Sequence, residues 1–117
     1  MSPDDKVRIR HMADAAEAAL RFAQGRTRAD LESDDMLVFA LVRAAEVIGE
    51  AAARITPSGR SELPAVPWGQ IVGMRNRLVH AYFDVDRTIL WETVQQAIPD
   101  LLKQLRNWIS SQKDDLA

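Results

Sequence analysis

Apolar residues recur three and four positions apart along almost the whole chain, and no segment shows the strict alternation of a half-buried strand. That rhythm restricts the chain to packed helices. Ile9, Met12, Ala16, Ala19 and Ala23 form one stripe. Its spacing predicts a helix from about Pro3 to Ala23, ended near Gly25, and its alanines allow a second helix to approach closely. After a connector over residues 27–32, Ser33 is the expected N-cap of a second helix, with Asp34 and Asp35 at the positive end of its dipole. That helix runs to about Ile55 and carries two neighbouring stripes. One is Leu37, Leu41, Ala44, Ile48, Ala51 and Ile55; the other is Val38, Val42, Ala45, Gly49 and Ala52. So wide an apolar surface belongs to a central helix, or to one that also meets another subunit. Arg43, Glu46, Glu50 and Arg54 fill its remaining side at pairing distances, so the carboxylates are expected to pair with those two arginines.

Residues 56–66 hold Pro57, Gly59 and Pro64 and are the clearest loop. Pro67 suits the first position of a third helix, with Trp68, Ile71, Met74 and Leu78 on its apolar face and an end within residues 80–83. Asp84, Val85 and Asp86 read as a turn and cap. A fourth helix runs from about Arg87 to Ser110, striped by Leu90, Val94, Ala97, Leu101, Leu105 and Trp108. Pro99 lies inside it and removes the bond to the carbonyl of Gln95, which predicts a kink. Residues 113–115 begin a frayed tail. The expected fold class is all-α, an antiparallel bundle of four to five helices, with residues 1–117 forming a single domain.

The absence of cysteine excludes disulfides and thiolate metal sites. With two histidines far apart in sequence, a tight transition-metal site is not expected either. Residues 1–6 start with acids and no apolar run, and no stretch approaches the roughly 20 apolar residues that cross a bilayer, so a cytoplasmic location without membrane association is expected. The formal net charge of -2 is unlike that of a dedicated nucleic-acid binder, so any role with RNA must rest on a local positive patch.

Such a patch exists. Arg75-Asn76-Arg77-Leu78-Val79-His80-Ala81-Tyr82 places two guanidiniums, an amide, an imidazole and the chain's only phenol within about two helical turns. Arginine holds phosphate oxygens through paired N–H donors, and histidine moves protons near neutral pH. On a continuous helix Asn76 and His80, four apart, share a face. Arg75 and His80, five apart, are separated by about 140°, so either the arginine curls round or the second arginine comes from a neighbouring subunit. A two-fold axis through this helix would gather two copies of Arg75, Asn76 and His80 in one cleft. Arg77 points about 200° from Arg75 and is expected at the rim, as a carboxylate partner or an RNA contact. His11 reads as a surface residue, and Trp68, Trp91 and Trp108 read as core.

The run from Arg75 to Tyr82 resembles the motif of the HEPN superfamily, and more closely that of the HepT-like toxins paired with a minimal nucleotidyltransferase antitoxin. Arg75, Asn76, His80 and Tyr82 match that motif without a gap. The likeness extends to Glu46-Val47-Ile48-Gly49-Glu50-Ala51-Ala52, Pro67-Trp68, Gly73-Met74, Ile89-Leu90-Trp91 and Ile98-Pro99-Asp100-Leu101. The resemblance implies a HEPN-like bundle that forms a homodimer in which two motifs meet. It implies metal-independent endoribonuclease chemistry, with Arg75, His80 and Asn76 as catalytic residues and no cofactor. It also implies neutralisation by a cognate nucleotidyltransferase that uses ATP to place AMP on Tyr82. The alternative is a catalytically inactive binding or scaffold partner of that nucleotidyltransferase, a reading that the net acidity favours.

Overall fold

The computed structural model of the chain describes residues 1–81 and 84–112, with residues 80 and 81 described by their backbone alone. Helix α1 spans Pro3–Ala23. Ser2 caps it by accepting the Asp5 N–H at 3.1 Å, and Pro3 sits at the first turn, where no N–H is missed. The helix stops where Gly25 takes a left-handed φ of 72°. After the one-turn α2 (Asp30–Ser33), α3 spans Asp35–Ala53. Its cap is Asp34, one residue beyond the expected Ser33, because the Asp34 carboxylate accepts the Leu37 N–H at 3.1 Å.

The two long helices pack antiparallel, with alanines at the contact: Ala16 and Ala19 on α1, Ala45 and Ala52 on α3, all with no exposed surface. Both expected stripes of α3 are buried apart from Val42, which is half-buried. The segment after α3, expected as irregular chain, contains a further turn of helix, α4 (Pro57–Arg60). Thr56 caps it by accepting the Gly59 N–H, and the Thr56 hydroxyl and N–H in turn donate to the buried carboxylate of Asp5. That clamp ties the start of α1 to the end of α3, and the Thr56 hydroxyl is the main reason the Asp5 carboxyl titrates below the ordinary aspartate range.

The expected third helix is two short ones. Helix α5 (Trp68–Val72) ends at Gly73, whose N–H bonds back to the Gly69 carbonyl, and α6 (Met74–Leu78) starts again from there. The chain then leaves helical geometry. Strand β1 (Val79–Ala81) pairs antiparallel with β2 (Asp84–Val85), and the Asp86 N–H closes the unit on the Leu78 carbonyl at 2.8 Å. These two short strands depart from the all-helical expectation without changing the fold class.

The fourth helical segment consists of α7 (Arg87–Glu92), a wider π-helical turn over Thr93–Ala97, and α8 (Ile98–Ser111). Pro99 is the reason for an irregularity here, as expected, but it takes the form of this π turn: the Ile98 N–H reaches the Thr93 carbonyl five residues back. The extra residue rotates the apolar stripe, so Ile98 is fully buried where Ala97 was expected to be. Helix α8 lies along α1 and is joined to it at the surface by Arg106 and Glu17, 3.1 Å apart. The expected frayed tail lies outside the described residues. No helix among the described residues is long and apolar enough to cross a membrane.

Candidate functional site

Two anchors set the exposed residues of α6. Met74 and Leu78, four apart, are fully buried, which leaves Arg75, Asn76 and Arg77 on the outer side. Helix α5, which leads into α6 through Gly73, is brought against α3 at Gly49. A β-carbon there would lie 3.3 Å from the carbonyl oxygens of both Ile71 and Val72, so the missing side chain permits the close approach.

That approach places Arg75 beside α3, where its Nε donates to Glu46 Oε2 at 3.0 Å. The other carboxylate oxygen of Glu46 accepts from Arg43 Nη1 at 2.6 Å, and Glu50 lies 3.9 Å from the same Arg43 nitrogen. Arg75 and Asn76 together line one wall of a groove of about 400 Å³, with Glu46, Gly49 and Glu50 on the other. Arg43 meets both carboxylates, as its spacing within α3 predicts, and the expected part of Arg54 is corrected. The second cation on Glu46 is Arg75 from another element, and Arg54 is engaged through its carbonyl, which accepts from Arg8 Nη1 at 3.2 Å. Spacing within α3 offered no signal for the bond from Glu46 to Arg75, because that partner lies 29 residues further on.

Arg77 faces away from this groove. Its Nη2 makes a long contact of 3.4 Å to the Gln70 carbonyl, and it lines a separate groove of about 310 Å³ with Asp100 and Gln104. The structure therefore joins Arg75 with Asn76 and separates Arg77 from both.

His80 does not stand on the helix, which corrects its expected face. Helix α6 ends at Leu78, and Val79 is already extended, with φ of -118° and ψ of 111°. His80 belongs to β1, so the four-residue spacing from Asn76 no longer places the two on one helical face. The strand register pairs Val79 with Val85 and Ala81 with Asp84, which leaves His80 at a bulge. A bulge interrupts alternation and redirects the chain locally, a device concentrated near active sites. Tyr82 lies outside the described residues.

His11 is exposed, as expected, beside Arg8, Glu50 and Arg54 in a further groove of about 380 Å³. The three tryptophans are half-buried at the margin of the core; Trp68 donates from Nε1 to the Leu63 carbonyl and stacks under Arg60 at 5.5 Å. Carboxyls displaced below their ordinary range besides Asp5 are structural and remote from the groove. Arg26 acts on Asp34, the Thr27 N–H on Asp30, and the terminal ammonium on Glu62. Among the described residues no group of three or more His, Cys, Asp or Glu is placed to hold a metal ion.

The sequence model of the family described as Ribonuclease HepT-like matches residues 12–108, which include every residue of this groove. The chain belongs to the HepT-like ribonuclease family. It is 37% identical over 101 residues to the protein named "Probable ribonuclease HepT" of Thermococcus cleftensis, covering 86% of this chain and 92% of that one. It is 35% identical over 105 residues to "Putative RNase TTE0752" of Caldanaerobacter subterraneus subsp. tengcongensis, covering 90% and 94%. No solved structure matches. Membership in the HepT-like family makes the chain a ribonuclease, and the helical architecture is the one expected of it.

Proposed function

We propose that this HepT-like protein is a metal-independent endoribonuclease toxin, a single domain that works as a homodimer. The observation that carries the reading is the Arg75 guanidinium, held by Glu46 on a groove shared with Asn76, at the head of an Arg-x4-His-x-Tyr run. Arg75 binds a non-bridging oxygen of the scissile phosphate and offsets the charge that gathers there. His80 takes the proton from the ribose 2′-hydroxyl. The 2′-oxygen forms its bond to phosphorus, the bond from phosphorus to the 5′-oxygen breaks, and a second acid protonates the departing oxygen. In a dimer, His80 of the second copy supplies that acid. The nucleophile is internal to the substrate, so the protein need not provide one. Asn76 orients the phosphate or the imidazole.

Tyr82 is the regulatory residue in this reading. A cognate minimal nucleotidyltransferase transfers AMP from ATP to its hydroxyl, with pyrophosphate as the leaving group. The added phosphate, two residues from His80, repels the RNA backbone and fills the cleft. ATP enters only as the partner's substrate, so the toxin carries no cofactor.

The test is incubation of RNA with excess chelator and wild type, Arg75→Ala or His80→Ala protein, with analysis of the cleaved ends. Wild type is expected to leave 2′,3′-cyclic phosphate and 5′-hydroxyl ends, and both variants are expected to lose cleavage with helical content intact. Full cleavage by His80→Ala would reject the assignment. The net charge of -2 favours a second reading, a scaffold that binds the nucleotidyltransferase without cutting RNA. Capture of the nucleotidyltransferase by a wild-type protein that leaves every RNA intact would select it.

A further inference from the structure

We infer that Glu46 is a positioning residue that holds the Arg75 guanidinium edge-on to the phosphate, and that it does so at a cost in RNA affinity. The inference rests on the proposed role of Arg75. Arg75 projects from a helix of five residues, and its side chain is about half exposed at 48%. A long, flexible side chain in that setting samples many rotamers, and each one away from the phosphate slows a reaction that depends on orientation. Glu46 is better restrained. It stands in the middle of the 19-residue α3, is 27% exposed, and has its own carboxylate fixed through the bond from Arg43 to Oε1.

The point of attachment matters. Glu46 takes the Nε–H, and among the described residues nothing bonds the two Nη groups. Those Nη groups form the paired-donor edge that fits two phosphate oxygens. The tether therefore restrains the guanidinium through Nε and leaves its phosphate-binding edge unbonded among the described residues, on a side chain that lines the groove.

The charge of Glu46 points to orientation rather than binding. A carboxylate 3.0 Å from the cation that meets the phosphate lowers the local positive potential and weakens attraction for RNA. The pair is exposed enough that its contribution to folding is slight. A group that reduces affinity and adds little stability is explained by what it does to the geometry of Arg75.

The experiment compares wild type, Glu46→Ala and Glu46→Gln in steady-state RNA cleavage, beside the 1H–15N signal of the Arg75 Nε–H, assigned by its loss in Arg75→Ala. Glu46→Ala is expected to lower kcat about 10- to 100-fold, with KM unchanged or reduced, and to weaken the Nε–H signal through faster solvent exchange. Glu46→Gln keeps an oxygen acceptor without the charge, and is expected to restore kcat to within about 3-fold of wild type and to keep the signal. Equal melting temperatures for all three separate this from a folding effect. Unchanged or faster cleavage by Glu46→Ala, a raised KM at unchanged kcat, or an unaltered Nε–H signal would each overturn the positioning role while leaving the ribonuclease reading intact. Wild-type protein that cuts no RNA would overturn that reading, and the positioning role with it.

Discussion

Replacing Asp5 by alanine removes a clamp whose cost can be worked from its bonds. Asp5 is 1% exposed, and its two oxygens accept from the Thr56 N–H at 3.2 Å and the Thr56 hydroxyl at 2.5 Å. The Thr56 hydroxyl is engaged in both directions, since it also accepts the Gly59 N–H at 3.1 Å. Hydrogen bonds to a charged acceptor contribute about 1.5–3 kcal/mol each, and part of that is offset because the buried carboxylate no longer loses its hydration. The net loss is therefore about 2–4 kcal/mol for Asp5→Ala. At roughly 2.1 cal/mol/K per residue, 117 residues give an unfolding entropy of about 0.25 kcal/mol/K, so the melting temperature should fall about 8–16 °C. The effect should also depend on pH. The folded-state pKa of Asp5 lies below its ordinary 3.8, chiefly through the Thr56 hydroxyl bond, with burial acting in the opposite direction. A depressed folded value means that the stabilisation is complete above the unfolded pKa and is lost as pH falls through the folded one. Urea melts of wild type and Asp5→Ala should thus differ most at neutral pH and draw together as pH falls below about 4. A melting temperature within about 2 °C of wild type, or a gap that is the same at neutral pH and well below the ordinary aspartate range, would overturn this account of the clamp.

Gly59→Ala should destabilise by about 1–3 kcal/mol in the same melts, because the new β-carbon would lie 2.5 Å from Asp5 Oδ2 and 3.0 Å from the Ile55 Cγ2 methyl. The strain acts on the clamp itself, so the loss should shrink when Asp5 is already alanine. Arg77→Ala should leave kcat for RNA cleavage within about 3-fold of wild type while Arg75→Ala abolishes it, because the two arginines line different grooves. Comparable losses in both would place Arg77 in the reaction.

The long helices were legible because each carries its own instructions. Ser2, Pro3 and Gly25 bound α1, and the stripe from Ile9 to Ala23 is buried as its period requires. The double stripe of α3 told equally well that it is central. Where element boundaries differ from those the periodicity predicts, the causes are local and chemical. A carboxylate at Asp34 caps in preference to the Ser33 hydroxyl one residue earlier, and a threonine at residue 56 starts a helical turn inside what reads as loop. The region from Trp68 onward keeps a helical pattern through Leu78 and gives no warning of the strand beyond it. Val79–Ala81 becomes strand because a partner strand a few residues away satisfies its backbone, and periodicity does not report such pairing.

The candidate site divides along the same line. The amino-acid order alone specified the helical class, the two buried faces of α3 and the set of chemistry-bearing groups from Arg75 to Tyr82, since these depend on composition and local period. Packing settled which groups meet. It turned Arg75 and Asn76 to one groove and Arg77 to another, moved His80 off the helix, and gave Arg75 a carboxylate from α3. Helix period relates residues within a few turns of one another, whereas the Arg75–Glu46 bond depends on how closely separate elements approach, and the missing side chain at Gly49 lets α5, just ahead of α6, come close to α3.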